Sequence, residues 1–281
     1  MLSIGVIGNG FVGKATKLLE CDNIQILAYD KSPESCEPLG TTLRDLGKCS
    51  LIFISVPTPM NKDGSCYLGI IQSVLSDLND INYDGSIVLR STVPPGTSDS
   101  LNCYFMPEFL TEKNFVSDFI NNKDWVFGLL KNNNVENFKK DIQNLFDIAF
   151  SAHKIKYNTL HFVSNSEAEM IKMFKNCFLA TKVSFCNEMY SYCEKNGICY
   201  ENVRKIAAND DRILHNHTNV PGHDGKYGYG GTCFPKDTNS MVQEMNRTNT
   251  ECHVLSSVVK RNETVDRPNK DWFLNKGRAV V

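Results

Sequence analysis

Cys233 lies in a short segment whose residue types could support covalent chemistry. The segment GGTCFPKD, residues 230–237, places the thiol directly after a glycine-rich turn and just before Lys236 and Asp237. A nearby ammonium favours the reactive thiolate, and a carboxylate can serve as a base or hold a water molecule. Spacing alone leaves open whether Cys233 is a nucleophile or one of eleven thiols that lies in a turn. Glycines let a backbone approach a ligand closely, and those before the thiol are Gly228, Gly230 and Gly231.

Two further pairs of residues have spacings that could do chemistry. In KMFKNC, a helix would put Lys172 and Asn176 on one face, where a cation and an amide can hold an oxyanion. Lys175 competes with Lys172 for the inward position. In MPEFLTE, a helical turn would pair Glu108 with Glu112 for water activation or proton transfer. A solvated helix face is the alternative for both pairs.

The N-terminal segment GNGFVG carries Gly8, Gly10 and Gly13 in GxGxxG spacing, between a predicted strand and a predicted helix. In dinucleotide-binding folds these glycines form a tight turn, leave room for a pyrophosphate and pack the helix on the strand. Asp30 ends the next strand, where a carboxylate binds a ribose hydroxyl and favours NAD over NADP; the adjacent Lys31 moderates that preference. A turn without a ligand and an S-adenosylmethionine site are the alternatives.

Proline-rich segments follow two other predicted strands. SVPTP, residues 55–59, and RSTVPPGTS, residues 90–98, end their strands abruptly because proline fixes φ and lacks a donor. The second segment puts Thr92 at the carboxyl edge of the sheet, where ligands bind in such folds. A plain proline turn is the alternative.

Alternating strand and helix patterns connect these segments. Apolar runs predict the strands LSIGVI, IQILAY, SLIFISV, GSIVLR and NCYFM, with KIKYNTLHFVS as a last candidate. Helical spacing appears between them in FVGKATKLLE and LGIIQSVLSDL. The alternation predicts an α/β fold in which residues 1–160 form a Rossmann-type, doubly wound parallel sheet covered on both faces.

An all-helical central domain is predicted for residues 161–265. No Gly or Pro occurs from Ser166 to about Cys193, and Ser166 with Glu169 matches a capping box, so one long spine helix is expected. Its apolar stripe consists of Ala168, Ile171, Phe174, Phe178 and Phe185. Further helices are predicted in NVRKIAAND and DTNSMVQEMN, and residues 266–281 are predicted to be a tail.

Composition limits the class of function. A net charge of −2 with 22% charged residues gives no electrostatic reason to expect nucleic acid or a membrane surface. Without a membrane-length apolar run, and with a strand pattern at the N-terminus, a cytoplasmic protein is expected. The eleven cysteines form no CxxC pair and are expected to be mostly buried thiols. His215 and His217 lack further ligands at metal-site spacing, so no metal is expected.

Six segments, taken in order, resemble those of the UDP-glucose/GDP-mannose dehydrogenase family. They are GVIGNGFVG, SVPTP, STVPPGTS, PEFLTE, KNCFLATKVSFCNE and GYGGTCFPKD, and the resemblance runs from Leu2 to about Glu263. It implies a two-step oxidation of the C6 alcohol of a nucleotide sugar to a carboxylate, with two NAD reduced. UDP-glucose is the expected substrate, and GDP-mannose or a UDP-N-acetyl sugar is the alternative. A homodimer through the long helix is also implied.

The resemblance also implies roles for individual residues. Cys233 would capture the aldehyde as a thiohemiacetal, which a second hydride transfer converts to a thioester. Thr92 and Asp237 would hold a water or accept the proton in the first oxidation. Lys172 and Asn176 would stabilise oxyanions, and Glu108 would assist hydrolysis of the thioester.

Contacts with cofactor and substrate are implied in the same way. The implied NAD contacts are Gly8, Gly10, Phe11, Val12, Gly13, Asp30, Lys31, Val56, Pro57, Thr92 and Lys236. The implied substrate contacts are Glu112, Arg212, Tyr229 and Gly230. In some family members the arginine that resembles Arg212 reaches across the dimer.

Family members normally carry a third domain that binds the nucleotide of the substrate. LNKGRAVV resembles the connection into that domain, so the domain is expected to be missing and residues 279–281 to have no sheet to join. Three hypotheses stay open: a compact dimeric enzyme, half of a split enzyme completed by a separate chain, and a decayed copy that binds NAD without catalysis. A β-hydroxyacid dehydrogenase, which needs no thiol, is a further rival.

Overall fold

The computed structural model describes residues 1–131 and 135–281. The chain forms two compact units. The first comprises Met1–Thr58 and Leu68–Lys172, and the second comprises Pro59–Tyr67 and Met173–Val281. The domain limits expected at residues 160 and 265 remain predictions.

The first unit is built on a seven-stranded sheet in the order β2-β1-β3-β4-β5-β6-β7. All neighbouring strands are parallel except β5 and β6. The strands are β1 Leu2–Ile7, β2 Ile24–Tyr29, β3 Leu51–Ile54, β4 Ser86–Leu89, β5 Tyr104–Phe105, β6 Asp124–Leu129 and β7 Thr159–Ser164. This order confirms the predicted Rossmann-type, largely parallel sheet.

Helices pack on both faces of this sheet. They are α1 Phe11–Lys17, α2 Gly69–Asp80, α3 Thr97–Ser100, α4 Phe115–Ile120 and α5 Glu136–Ser151. Because successive strand residues point to opposite faces, Val6 joins the core that contains Phe146 of α5, and Ile7 joins the core that contains Ile71 of α2.

Several elements of the first unit were not predicted, and β6 and α5 are among them. Strand β6 carries the apolar run WVFGL, residues 125–129, after an exposed polar start, and this strand signal was overlooked. It pairs with β5 only at Phe105 and Gly128. Helix α5 carries its buried residues at helical spacing, and that signal is present in the sequence but was overlooked; they are Phe138, Ile142, Leu145, Phe146 and Ala149.

The predicted spine helix is α6, which spans Asn165–Lys195 over 31 residues. Its capping box lies two residues earlier than predicted. Glu167 accepts hydrogen bonds from the Ser164 backbone N–H at 2.8 Å and hydroxyl at 2.6 Å, and the Glu167 N–H donates back to the Ser164 hydroxyl. The predicted cap at Ser166 and Glu169 is therefore wrong, and Glu169 is buried instead.

The apolar stripe predicted along α6 is divided. Ala168 is buried in a core of the first unit, and Ile171 packs against the same core. In contrast, Phe174, Phe178 and Phe185 are about 60% exposed. The rings of Phe174 and Phe178 stack with their centroids 6.3 Å apart.

The second unit is helical, as predicted. After α6 it contains α7 Tyr200–Ala207, α8 Phe234–Arg247 and α9 His253–Arg261, followed by a π-helical turn at Asn262–Asp266. Within the two described stretches of the chain, no helix has both the length and the apolar character needed to cross a membrane.

The tail, residues 266–281, is an integral part of the second unit. The backbone of Met60 donates to the Ala279 carbonyl at 2.9 Å and accepts from the Val281 N–H at 3.1 Å. Trp272, which is 1% exposed, packs in a small core with Met60, Ala279 and Val280. Residues 279–281, for which no sheet to join was expected, pair with the Pro59–Tyr67 segment through an isolated backbone bridge between Met60 and Val280.

Replacing Trp272 with Ala should lower the free energy of unfolding by about 3–5 kcal/mol, because it empties the centre of this core. Urea denaturation followed by circular dichroism measures the loss. Leu274→Ala is the matched control, since Leu274 lies in the same turn and is 84% exposed, and it should change the unfolding free energy by less than about 0.5 kcal/mol. Equal effects of the two variants would contradict the described packing.

Candidate active site

The three glycines of the turn after β1 lie in three different environments. Gly8 has a φ of +88°, and a Cβ there would lie 2.8 Å from the Ser55 carbonyl oxygen. A Cβ on Gly13 would collide with the Gly8 carbonyl, whereas a Cβ on Gly10 would meet nothing within 4 Å. The protein therefore forms the turn at Gly8, packs the helix closely at Gly13 and leaves space beside Gly10.

Asp30 is held at the end of β2, next to this turn. Its carboxylate accepts hydrogen bonds from the Asn9 N–H at 2.8 Å and the Ser32 N–H at 3.0 Å. The neighbouring Lys31 is exposed. The predicted ribose-binding carboxylate thus has a fixed position, while Phe11 and Val12 lie half-buried at the start of α1.

Hydrogen bonds tie together the two proline-rich loops at the carboxyl edge. The Ser91 hydroxyl donates to the Val56 carbonyl at 2.7 Å, and the Thr58 hydroxyl donates to the Thr92 carbonyl at 2.8 Å. Pro57 between them is exposed. The segment that carries Thr92 is therefore fixed to the loop after β3.

A buried ion pair lies beyond the next strand. The Lys172 ammonium donates to Glu108 at 2.7 Å, and both side chains are about 5% exposed. The second carboxylate oxygen accepts the Leu110 N–H at 2.7 Å. Burial raises the pKa of Glu108, but the charge and hydrogen bond of Lys172 outweigh it and hold the pKa below the ordinary value. Glu108 is therefore ionised.

Arg90 is a buried charge that the sequence analysis did not single out. Arg90 follows β4. Its guanidinium donates to the Thr16 hydroxyl and lies 5.7 Å from the centre of the Phe119 ring. Burial lowers the pKa of Arg90 to about 10, and the charge of Glu108 opposes that shift. The signal in the sequence was a charged residue directly after an apolar strand.

The predicted Glu108–Glu112 pair does not share a helix face. Residues 106–112 form no helix, and α4 begins only at Phe115, so the spacing of four has no helical meaning. Glu108 is buried and Glu112 is exposed. The pairing prediction is wrong, and the sugar contact expected of Glu112 stays a prediction.

Helix α6 presents buried polar side chains to the same loops. Both carboxylate oxygens of Glu169 are used, one by the Gly96 N–H at 2.5 Å and the other by the Ser98 N–H at 2.7 Å. The Asn165 amide donates to Asp99 and to the Cys103 carbonyl, each at 2.9 Å. Sequence spacing had assigned Glu169 only to a cap.

In the second unit, Cys233 is the residue immediately before the first turn of α8. Its carbonyl accepts the Asp237 N–H at 2.9 Å, and its side chain is half-buried. The partial positive charge at a helix N-terminus favours a thiolate. This position distinguishes Cys233 from a thiol in an arbitrary turn.

Asp237 is the centre of a buried polar group one turn into α8. Its carboxylate accepts the Asn176 amide and the Lys236 ammonium, each at 2.5 Å. Burial lowers the pKa of Lys236, but the negative charges of Asp237 and Cys233 outweigh it and raise the pKa above the ordinary value. Lys236 is therefore a permanent cation beside the thiol.

Burial separates Lys172 from its competitor Lys175, and it also separates the thiols from one another. Lys172 is buried while Lys175 is exposed, which settles which of them points inward. Burial, with help from Asp237, raises the pKa of Cys177 to about 12. Only five of the eleven thiols are buried, so the expectation that most would be is wrong; they are Cys36, Cys49, Cys103, Cys186 and Cys193.

Two of the three glycines before Cys233, Gly228 and Gly230, lie against protein side chains, and the ligand contact expected of Gly230 stays a prediction. A Cβ on Gly230 would lie 2.5 Å from the guanidinium carbon of Arg267, and a Cβ on Gly228 would lie 2.8 Å from the Cβ of Asp266. Tyr229 between them is buried. Only Gly231 has open space where a side chain would be.

Arg212 and the two histidines lie in the segment after α7. The Arg212 guanidinium is exposed and pairs with Asp210 at 2.5 Å. His215 bonds the Asn209 side chain at 3.0 Å, and the His217 ring lies 5.8 Å from the ring of Phe234. The substrate contact of Arg212 stays a prediction.

Comparison with protein families identifies two matching domain models. Residues 36–147 match the NAD-binding domain of the UDP-glucose/GDP-mannose dehydrogenase family. Residues 166–264 match the central domain of the same family. The glycine turn and Asp30 precede the first match, and Cys233 lies inside the second.

Individual relatives agree with these matches. A UDP-glucose 6-dehydrogenase of Rickettsia felis is 31% identical over 231 residues, 78% of this chain. The chain spans 49% of that relative's length and 59% of the length of a Bacillus subtilis relative.

Solved structures share the fold. A UDP-glucose dehydrogenase of the archaeon Pyrobaculum islandicum has a TM-score of 0.78 at 23% identity, covering 94% of this chain and 68% of its own. A 3-hydroxyisobutyrate dehydrogenase of Mycobacterium tuberculosis, solved with L-serine, has a TM-score of 0.71 at 12% identity, covering 95% of both chains. These similarities establish the fold alone.

The glycine turn fits the NAD that this family binds, because the space beside Gly10 is not filled by the protein. Gly10→Ala should therefore change the unfolding free energy of the protein without NAD by less than about 0.5 kcal/mol. It should weaken NAD binding by about tenfold, since the methyl group would enter the space for the pyrophosphate. Thermal unfolding and calorimetric titration measure the two effects.

Gly13→Ala is the matched control for that prediction. Its methyl group would collide with the Gly8 carbonyl, so it should lower the unfolding free energy by about 1–3 kcal/mol. If Gly10→Ala binds NAD as tightly as the unmodified protein, the proposed place of the pyrophosphate is wrong.

Breaking the Glu108–Lys172 pair should be costly because it leaves a buried charge without its counter-ion. Lys172→Met should lower the unfolding free energy by about 3–5 kcal/mol, and the double variant Lys172→Met/Glu108→Leu should regain most of that loss. Urea denaturation measures both. The control Lys139→Met breaks an exposed pair with Glu136 and should cost less than about 1 kcal/mol. Equal losses in the two single variants would contradict the burial of the pair.

Proposed function

Because the chain belongs to the UDP-glucose/GDP-mannose dehydrogenase family, we propose that it oxidises the C6 alcohol of a nucleotide sugar to a carboxylate, with NAD as the oxidant. The observation that carries the proposal is the place of Cys233 at the N-terminus of α8, beside the buried Lys236–Asp237–Asn176 group. UDP-glucose is the proposed sugar because relatives over much of the chain are UDP-glucose 6-dehydrogenases.

Bound NAD would accept one hydride in each of two successive oxidations, held by the Gly8–Gly13 turn and Asp30. In the first oxidation the C6 hydroxyl must also lose a proton. Asp237 is suited to receive it, because Asn176 and Lys236 fix the carboxylate in position. The water contact expected of Thr92 stays a prediction.

The thiol is needed for the second oxidation. The Cys233 sulfur attacks the aldehyde carbon, and the resulting thiohemiacetal keeps one hydrogen on that carbon to be lost as hydride. Loss of this hydride and of the hydroxyl proton gives a thioester. Lys172 and Asn176 are the proposed donors to the oxyanions that develop at the two additions, because each is a buried donor.

Hydrolysis of the thioester releases the product. Glu108 is proposed to take a proton from the attacking water, a role that requires an ionised carboxylate, and its lowered pKa keeps it ionised. The carbon–sulfur bond then breaks, the carboxylate leaves, and the proton returns the sulfur to a thiol.

We further propose that the chain acts as a homodimer through α6. The support for this proposal is the row of exposed Phe174, Phe178 and Phe185 along that helix. Three large apolar side chains on one helix are typical of an interface between subunits.

The reaction is tested by incubating the protein with NAD and, separately, UDP-glucose, GDP-mannose and UDP-N-acetyl sugars, and counting NADH against sugar consumed. We expect about two NADH per UDP-glucose, because two hydrides leave C6. NAD binding without NADH from any sugar would overturn the proposal and favour a non-catalytic or incomplete subunit.

Cys233→Ser should abolish formation of the carboxylate, because an alcohol forms no thioester, and Cys199→Ser should leave it unchanged because Cys199 is an exposed thiol. Product analysis by mass spectrometry measures both. Full activity in Cys233→Ser would contradict the covalent mechanism and favour the β-hydroxyacid dehydrogenase type of reaction.

A further inference from the structure

Asn262 and Arg267, which the sequence analysis placed near or beyond the end of the helical domain, lie against the loop that leads to Cys233. This thiol loop is defined as residues 224–232. Asn262 belongs to the π-helical turn after α9, and Arg267 is the second residue of the tail. Both side chains are at least nine-tenths buried.

Asn262 holds the backbone of the thiol loop at one residue. Its side-chain oxygen accepts the Tyr229 N–H at 2.8 Å, and its amide donates to the Tyr229 carbonyl at 2.9 Å. The N–H of the preceding Gly228 donates to Asn187 of α6 at 3.0 Å. A buried amide that satisfies both backbone groups of one residue fixes that residue in position.

Arg267 covers the next residue of the loop. Three guanidinium atoms lie 2.5–2.8 Å from the position of a Cβ on Gly230, so the planar group fills the place of a side chain. The guanidinium is itself fixed by Asp224 at 2.6 Å and by Asp271 at 2.7 Å. Asp224 is in the thiol loop and Asp271 is in the tail, so Arg267 connects the two segments.

The tail also connects back to α8, the helix that follows Cys233. Its Trp272 and Ala279 pack and pair with Met60, as described above. Further along the Pro59–Tyr67 segment, the Asp63 carbonyl accepts the side-chain amide of Gln243 in α8 at 2.7 Å. Contacts within the second unit thus connect the thiol loop to the tail, the tail to the Pro59–Tyr67 segment, and that segment to α8.

We propose that Asn262 and Arg267 are positioning residues for Cys233, which they orient through the thiol loop. The proposal rests on the proposed function for the meaning of that orientation. The Cys233 sulfur must reach an aldehyde carbon, and its thiolate is stabilised while it lies at the helix N-terminus. Both conditions depend on the conformation of the loop that enters the helix. The glycines of the loop then serve this clamp, which needs the space at residues 228 and 230.

The test measures the alkylation of Cys233 by iodoacetamide as a function of pH, without NAD or sugar. Peptide mass spectrometry follows Cys233, and the exposed Cys199 is the internal control in the same protein. Arg267→Leu and Asn262→Asp should move the midpoint of the Cys233 profile to higher pH, because the thiol leaves the helix N-terminus. The Cys199 profile should not move. Asn262→Asp keeps the shape of the side chain but cannot donate to the Tyr229 carbonyl.

Steady-state kinetics gives a second readout. Both variants should lower kcat by about tenfold or more and change KM less, because a misdirected nucleophile slows chemistry more than binding. Arg247→Leu, an exposed arginine of α8, is the matched control and should leave the alkylation profile and kcat unchanged. Arg267→Lys keeps the charge without the planar cover of Gly230 and should fold even if Arg267→Leu does not; it should show a smaller shift in the same direction.

Cys233 profiles that superimpose on the unmodified protein in Asn262→Asp and Arg267→Lys would overturn the clamp. A protein that oxidises no nucleotide sugar would overturn the proposed function instead, and the alkylation profiles would still decide the clamp. The two failures are therefore distinguishable.

Discussion

The carboxyl edge of the sheet depends on buried polar side chains in the first turns of α6. Asn165 and Glu169 bond the segment around α3, Lys172 bonds Glu108 after β5, and each makes at least one bond shorter than 3 Å. A buried polar group without its partner costs several times what a satisfied one contributes. The segments that contain Gly96 and Glu108 are therefore fixed to the helix.

Several charged side chains are buried in and near these turns. Arg90 and Lys172 are cations, and Glu108 and Glu169 are carboxylates, of which Glu108 faces the charges of both cations. Burying charge is expensive, so a group of buried charges is typical of a working site. It agrees with the proposed chemistry, in which negative charge develops on the substrate and must be met by fixed positive charge.

The sequence predicted best where the signal is local. The glycine turn, Asp30 and the inward face of α6 at Lys172 and Asn176 each follow from spacing within one element. The prediction failed where a spacing was interpreted without knowing the element: Glu108 and Glu112 look like a helical pair but lie in a segment that forms no helix. Arg90 and Glu169 could not be assigned because their partners are distant in sequence, such as Thr16 and Gly96.

The glycines after β1 and those before Cys233 lack a side chain for opposite reasons. At Gly10 the missing side chain leaves space that the protein does not fill, whereas at Gly230 the space is filled by the Arg267 guanidinium. The two positions look alike in the sequence, because a glycine indicates only that a Cβ is not tolerated or not needed. The use of the space differs: it is the proposed place of a ligand in the first case, and it holds the proposed clamp on the approach to Cys233 in the second. The reactivity of the thiol is therefore tied to the tail that follows the helical domain, and not only to the motif that contains it.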